Sequence, residues 1–149
     1  MPANVNPVFG LTPNVKGIAC GGTANTDGSG VSTIGTNSFI AFVAGSNGSF
    51  IEKVRLHPVA TAAATATTAT TIRVFVTSVV SGATTQANTW LVAEVAAAAQ
   101  TADHSTNATF YIDVPLGFAL PAAYQVLVMN HVVNATNTSW TATGIGADY

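Results

Sequence analysis

Phe50-Ile51-Glu52-Lys53-Val54-Arg55-Leu56-His57, followed after an Ala/Thr segment by Ile72-Arg73-Val74-Phe75-Val76-Thr77, is the stretch on which the fold turns. In its second half Ile72, Val74 and Val76 fall on one side of an extended chain and Arg73, Phe75 and Thr77 on the other, the period-2 signature of a strand with one buried face. The first half is less regular. Ile51, Val54 and Leu56 are spaced three then two, so Glu52 and Lys53 are expected at a β-bulge that returns the apolar residues to one face. Asn47-Gly48-Ser49 precedes it as a turn, because Asn and Gly adopt positive φ at little cost. The two strands are expected to be central neighbours in one antiparallel sheet. Residues 59–71 then join them as a long hairpin loop: alanines favour helix, but the interleaved threonines lose χ1 freedom in one. Three of the four basic residues, Lys53, Arg55 and Arg73, thus lie on central strands.

To either side the pattern repeats. Residues 15–19 read as a short first strand, and residues 21–35 as a Gly/Ser/Thr/Asn loop with Asp27-Gly28 as its turn signal. That loop has no Gly-x-x-x-x-Gly-Lys pattern to cradle phosphate, and Asp27 alone does not make a calcium loop. Residues 38–43 are almost wholly apolar, as in a strand covered on both faces. Further strands are expected at 88–95, 109–114, 124–133 and 138–144. Residues 96–107 form a small-residue loop, Pro115-Leu116-Gly117 ends a strand and Leu120-Pro121-Ala122-Ala123 makes a turn. With no amphipathic helix, the expected fold is all-β: an antiparallel β-sandwich or jelly roll of about eight strands with an extended N-terminal arm. Residues 1–14, with Pro2, Pro7 and Pro13, are the arm and 15–149 the single domain. Proline suits neither a helix interior nor a ladder, so the arm's Val8, Phe9 and Leu11 must pack on their own domain or on a neighbour.

Composition narrows the function. Only 7% of the residues are charged and 48% are hydrophobic, against about 25% charged in an ordinary soluble domain. Mixed surface charge is what keeps apolar patches apart, so much of this surface is expected to lie against partners. No apolar run approaches the roughly 20 residues that span a bilayer, and the N-terminus lacks the basic region and apolar core of a signal peptide. Neither membrane insertion nor direct secretion is expected. A formal charge of −2 gives no overall attraction to nucleic acid. The lone Cys20 excludes an internal disulfide and a cysteine-rich zinc site, and reads as a small buried strand residue.

Several segments, taken in order, carry a resemblance: Asn6-Pro7-Val8-Phe9-Gly10-Leu11-Thr12-Pro13, Ala44-Gly45-Ser46-Asn47-Gly48-Ser49, Ile72-Arg73-Val74-Phe75, Leu120-Pro121-Ala122-Ala123-Tyr124 and Gly144-Ile145-Gly146-Ala147-Asp148-Tyr149. Together they span nearly the whole chain and resemble small virion proteins of tailed bacteriophages and prophages. The ending departs from the Gly-Gly-Asp-Tyr of that group, and the Ala/Thr linker is longer. The resemblance implies a β-rich subunit decorating or cementing a capsid, often as a trimer between capsomers. It brings no catalytic residue.

Residue chemistry agrees in offering no enzyme. Asp103-His104-Ser105 is the nearest to a triad, but triad members must face one another in space and usually come from separate elements. His57 and His131 stand apart from Asp, Glu or Cys at ligand spacing, so no metal site and no cofactor is expected. Glu94 and Asp113 are expected to pair with Arg73, Lys53 or Arg55 rather than with each other. Trp90 and Trp140 can be read as core or interface residues, or as a platform for sugar. The expected role is a decoration or cement protein on the capsid surface of a virion, made in the host cytoplasm. Its partners would be the major capsid protein and its own copies in a homotrimer, with neither nucleic acid nor membrane. Phe9 and Leu11 are the candidate anchors, and Lys53, Arg55 and Arg73 candidates for charge pairing across an interface or within the chain. The alternative is a host-surface carbohydrate-binding module at a tail or fibre tip.

Overall fold

The computed structural model of the protein describes residues 10–21, 23–62, 65–101 and 110–149. These form strands β1 (Thr12–Cys20), β2 (Ser32–Thr33), β3 (Phe39–Val43), β4 (Ser49–Ala60), β5 (Thr70–Thr77), β6 (Ala83–Thr84), β7 (Thr89–Ala97), β8 (Ile112–Leu120), β9 (Gln125–Asn130) and β10 (Thr138–Asp148), with no helix among the described residues. Two four-stranded antiparallel sheets, ordered β1-β10-β4-β8 and β3-β9-β5-β7, face each other as a β-sandwich, and β2 pairs with β6 as a separate ribbon. The pairs β1/β10, β3/β9, β4/β8 and β5/β7 are nested in sequence, as in one long hairpin rolled upon itself.

The organising strands β4 and β5 are each central, but they are not neighbours. β4 lies between β10 and β8 in the first sheet, and β5 between β9 and β7 in the second. β4 and β5 therefore do not form a hairpin, and the chain between them joins two different sheets. Alternation reveals which side of a strand is buried, and both strands do bury their apolar sides in one core. It does not reveal whether the strands share a sheet or face each other across that core. Ile51, Val54 and Leu56 of β4 meet Ile72, Val74 and Val76 of β5 in a single cluster that also holds Phe42, Val126, Val128 and Trp140.

The bulge lies where the irregular spacing puts it. Opposite β4, Ile145 pairs with Lys53 and Gly146 with Ile51, leaving Glu52 as the extra residue. Pro115-Leu116-Gly117 does not end a strand. β8 runs through it because β8 is an edge strand, where a missing N–H costs no ladder bond, and Gly117 takes a positive φ of 68° beside the register shift. β1 begins at Thr12, earlier than the arm boundary drawn after residue 14, and places Thr12, Pro13 and Asn14 opposite Asp148, Ala147 and Gly146. Residues 1–9 lie outside the described residues. β10 also outruns its expected end at 144, since Gly144 and Gly146 let it pass close over Phe42 and the β4 backbone.

The solvent face expected for Arg73, Phe75 and Thr77 is in fact covered. Phe75 is 1% exposed and forms a second cluster with Leu127 and Met129, against which Ile34 and Ile40 pack. The segment between β1 and β3 lies over this outer face of the second sheet. Its Asn25 N–H donates to the Asn130 carbonyl at 2.8 Å, and its Asn25 Nδ2 to Met129 Sδ at 3.0 Å. Gly28, in the positive-φ turn after Asp27, sits against the Arg73 guanidinium.

Candidate interaction surface

Among the described residues, no such segment covers the outer face of the first sheet. Strand alternation points Pro13, Val15, Gly17 and Ala19 of β1 away from the core, all exposed, next to Thr143, Ile145 and Ala147 of β10. None of these side chains is charged. Leu11 and Val15 are 69% and 64% exposed, the most of any described large apolar residues, and Phe50 on β4 adds a ring at 38%. Antiparallel sheets facing water ordinarily alternate apolar-in with polar-out, a pattern that β1 does not follow.

From β4 onward the same face is charged, with Lys53 opposite Ile145 and Arg55 opposite Thr143. Arg55 holds Asp113 with a bidentate fork, Nε to Oδ1 at 2.7 Å and Nη2 to Oδ2 at 2.9 Å, while Lys53 Nζ reaches Oδ2 at 3.1 Å. These contacts follow from the register, which sets Arg55 opposite Asp113 and Lys53 opposite Pro115. The hydrogen bond from Arg55 holds the Asp113 carboxyl down at about 2, against some desolvation and with help from Lys53. The Arg55 guanidinium also lies 4.2 Å over the Tyr111 ring. Arg73, on the other sheet, binds Glu94 through Nε at 2.7 Å and faces His131 Nδ1 at 3.2 Å. All three cations singled out from the sequence thus have partners within the chain. Lys16 has no carboxylate partner among the described residues, and lines a small apolar cleft with Ile18, Phe39 and Ile40.

The sequence reading missed a clasp between the chain ends. Asp148 accepts hydrogen bonds from Ser49 Oγ and from Asn14 Nδ2, the latter at 2.8 Å, and Asn14 Nδ2 also donates to the Val43 carbonyl at 2.9 Å. Burial pushes the Asp148 carboxyl up, but the bonds from Ser49, Asn14 and the Gly45 backbone outweigh it and hold the carboxyl below its ordinary value. The exposed apolar side of β1 was missed as well. Both alternating sets of β1 contain apolar residues, so the sequence alone does not say which set points inward.

The two tryptophans do not make a common platform. Trp140 is fully buried in the core, whereas Trp90 is 45% exposed and stacks on Tyr124 with ring centres 6.5 Å apart. Asp103, His104, Ser105 and the proposed anchor Phe9 lie outside the described residues. Among the described residues no three metal-ligating side chains cluster, and no helix is long and apolar enough to cross a membrane. In comparisons with known proteins, no family model, curated protein or solved structure matches this chain.

Proposed function

We propose that the protein is a structural virion subunit that decorates and cements a tailed-phage capsid by bridging neighbouring capsomers, and that it is not an enzyme. The observation that carries this reading is the set of exposed apolar side chains at one end of the β1-β10-β4-β8 sheet, Leu11, Val15 and Phe50, in a chain only 7% charged. Such a face gains about 25 cal/mol for each Å² of apolar surface it loses to a partner. We read the nested pairing as a jelly roll, and the partners as the major capsid protein and copies of the chain itself in a closed homotrimer on the virion surface. In a multivalent assembly each later contact is effectively intramolecular, so weak contacts add up to a stable lattice. Phe9 and Leu11 are the apolar anchors in this reading. The Lys53/Arg55/Asp113 cluster, on β4 and β8 beside Ile145 and Thr143, gives half of the face a charged character that fixes orientation more than affinity.

The exposed Trp90–Tyr124 stack supports a second reading, a carbohydrate-binding module at a tail or fibre tip. Counting copies in purified particles separates the two. A cement protein is abundant and remains on heads lacking tails, whereas a tip protein is present in few copies and leaves with the tails.

A further inference from the structure

We propose that the cleft between β1 and β3, flanked by Lys16, binds a small amphiphilic carboxylate, one that carries a single aromatic ring or a short branched alkyl chain. The proposal goes beyond the capsid reading and does not depend on it.

The first argument is where Lys16 stands. Of the two alternating sets on β1, Asn14, Lys16, Ile18 and Cys20 are the less exposed, and Ile18 and Cys20 pack into the main core. Lys16 therefore lies on the inward side of its strand. β1 and β3 are edge strands of different sheets, with no ladder between them, so the sandwich is open along this flank. A charged side chain occupies a position where alternation calls for an apolar one that would close it.

Its surroundings are the second argument. Ile18, Ile34, Gly35, Phe39 and Ile40 form the other walls of a cleft of about 150 Å³. Ile18 and Phe39 are backed by the main core, and Ile34 and Ile40 by the Phe75 cluster, so the walls are held from both sides and the cleft is preformed. Gly35, at a φ of 87°, has open space where a side chain would begin, which keeps one rim clear.

Charge complementarity is the third. Lys53, Arg55 and Arg73 each hold a carboxylate, whereas Lys16 holds none among the described residues. Asp103, the one acidic side chain outside them, belongs to the stretch joining β7 to β8, the edge strands on the opposite flank. An apolar cleft beside a lone ammonium suits a ligand with both halves: a body that leaves water, and an anion that meets the ammonium at a partly dehydrated surface, where their attraction exceeds its value in bulk water. Size fixes the body. A cavity of about 150 Å³ holds one benzene ring, so a long acyl chain or an oligosaccharide does not fit.

Phenylacetate is the probe, titrated into the full-length protein with the methyl NMR signals of Ile18, Ile34 and Ile40 as the readout. Saturable shifts centred on these methyls are expected, with a Kd on the order of a millimolar, the range open to a ligand of so few atoms. Wild-type protein should bind phenylacetate about three- to fivefold more tightly than 2-phenylethanol, a neutral compound with the same ring, that factor being the worth of a half-exposed ion pair. Lys16→Met keeps the stem and removes the charge, so it should abolish this preference, and Lys16→Arg should keep it. The proposal is overturned if the shifts do not saturate, if they centre on the Trp90–Tyr124 stack, or if the wild type shows no preference for the acid. It is overturned equally if Lys16→Met binds the acid as tightly as wild type. Self-association of that variant would then assign the inward lysine to guarding an edge strand against pairing.

Discussion

Phe75→Ala tests the architecture most sharply, because the alternation pattern and the tertiary structure assign that ring opposite environments. On the solvent face of a strand its loss would cost within about 0.5 kcal/mol, as surface substitutions do. Phe75 is instead 1% exposed, sealed between Leu127 and Met129 under the segment that follows β1. Truncating a buried Phe removes its transfer free energy and leaves a cavity, together about 3–5 kcal/mol. That is a large share of the 5–15 kcal/mol that stabilises a typical domain. At about 2–4 °C per kcal/mol for a chain of this size, Tm should fall by at least roughly 6 °C. Urea unfolding is the assay, with the midpoint lowered and the slope unchanged.

Two companion measurements locate the effect. Phe50→Ala, on the outer face of the first sheet and 38% exposed, should cost less than about 1 kcal/mol. The Asn25 amide, bonded to the Asn130 carbonyl at 2.8 Å, should lose hydrogen-exchange protection in Phe75→Ala if the covering segment lifts with the cavity. A Phe75→Ala protein as stable as wild type would refute the covered outer face.

Asp113 is held at about 2 by Arg55 and Lys53, below its usual value near 3.9. A depressed carboxyl stabilises the fold above its unfolded value and loses that contribution as pH falls through the folded one. The loss falls between about pH 4 and pH 2. Asp113 and Arg55 are 31% and 39% exposed, so solvent screening limits the drop in Tm to roughly 2–4 °C. The difference between wild-type and Asp113→Asn acid profiles should show it, and coincident profiles would contradict the pairing. Burial pushes the Cys20 thiol up to about 12, so a thiol reagent at pH 8 should label the protein only as fast as it unfolds. Rapid stoichiometric labelling of the folded protein would place Cys20 elsewhere.

The sequence by itself determined the class of fold and much of its detail. Period-2 runs without helical periodicity meant strands, the uneven spacing of Ile51, Val54 and Leu56 meant a bulge at Glu52, and Leu120-Pro121-Ala122-Ala123 meant a turn. The partners Arg73–Glu94 and Arg55–Asp113 were within reach because so few charges exist to be matched. These features are local, or follow from composition. Which strand lies beside which was decided only by the tertiary structure. An apolar stripe is satisfied equally by a neighbour in its own sheet and by a sheet across the core, so β4 and β5 were separable only once all the pairings were in place. The same holds for the faces. Whether Phe75 or Val15 meets water depends on which segment covers it, and that is set by chain reversals dozens of residues away, not by the alternation of either strand.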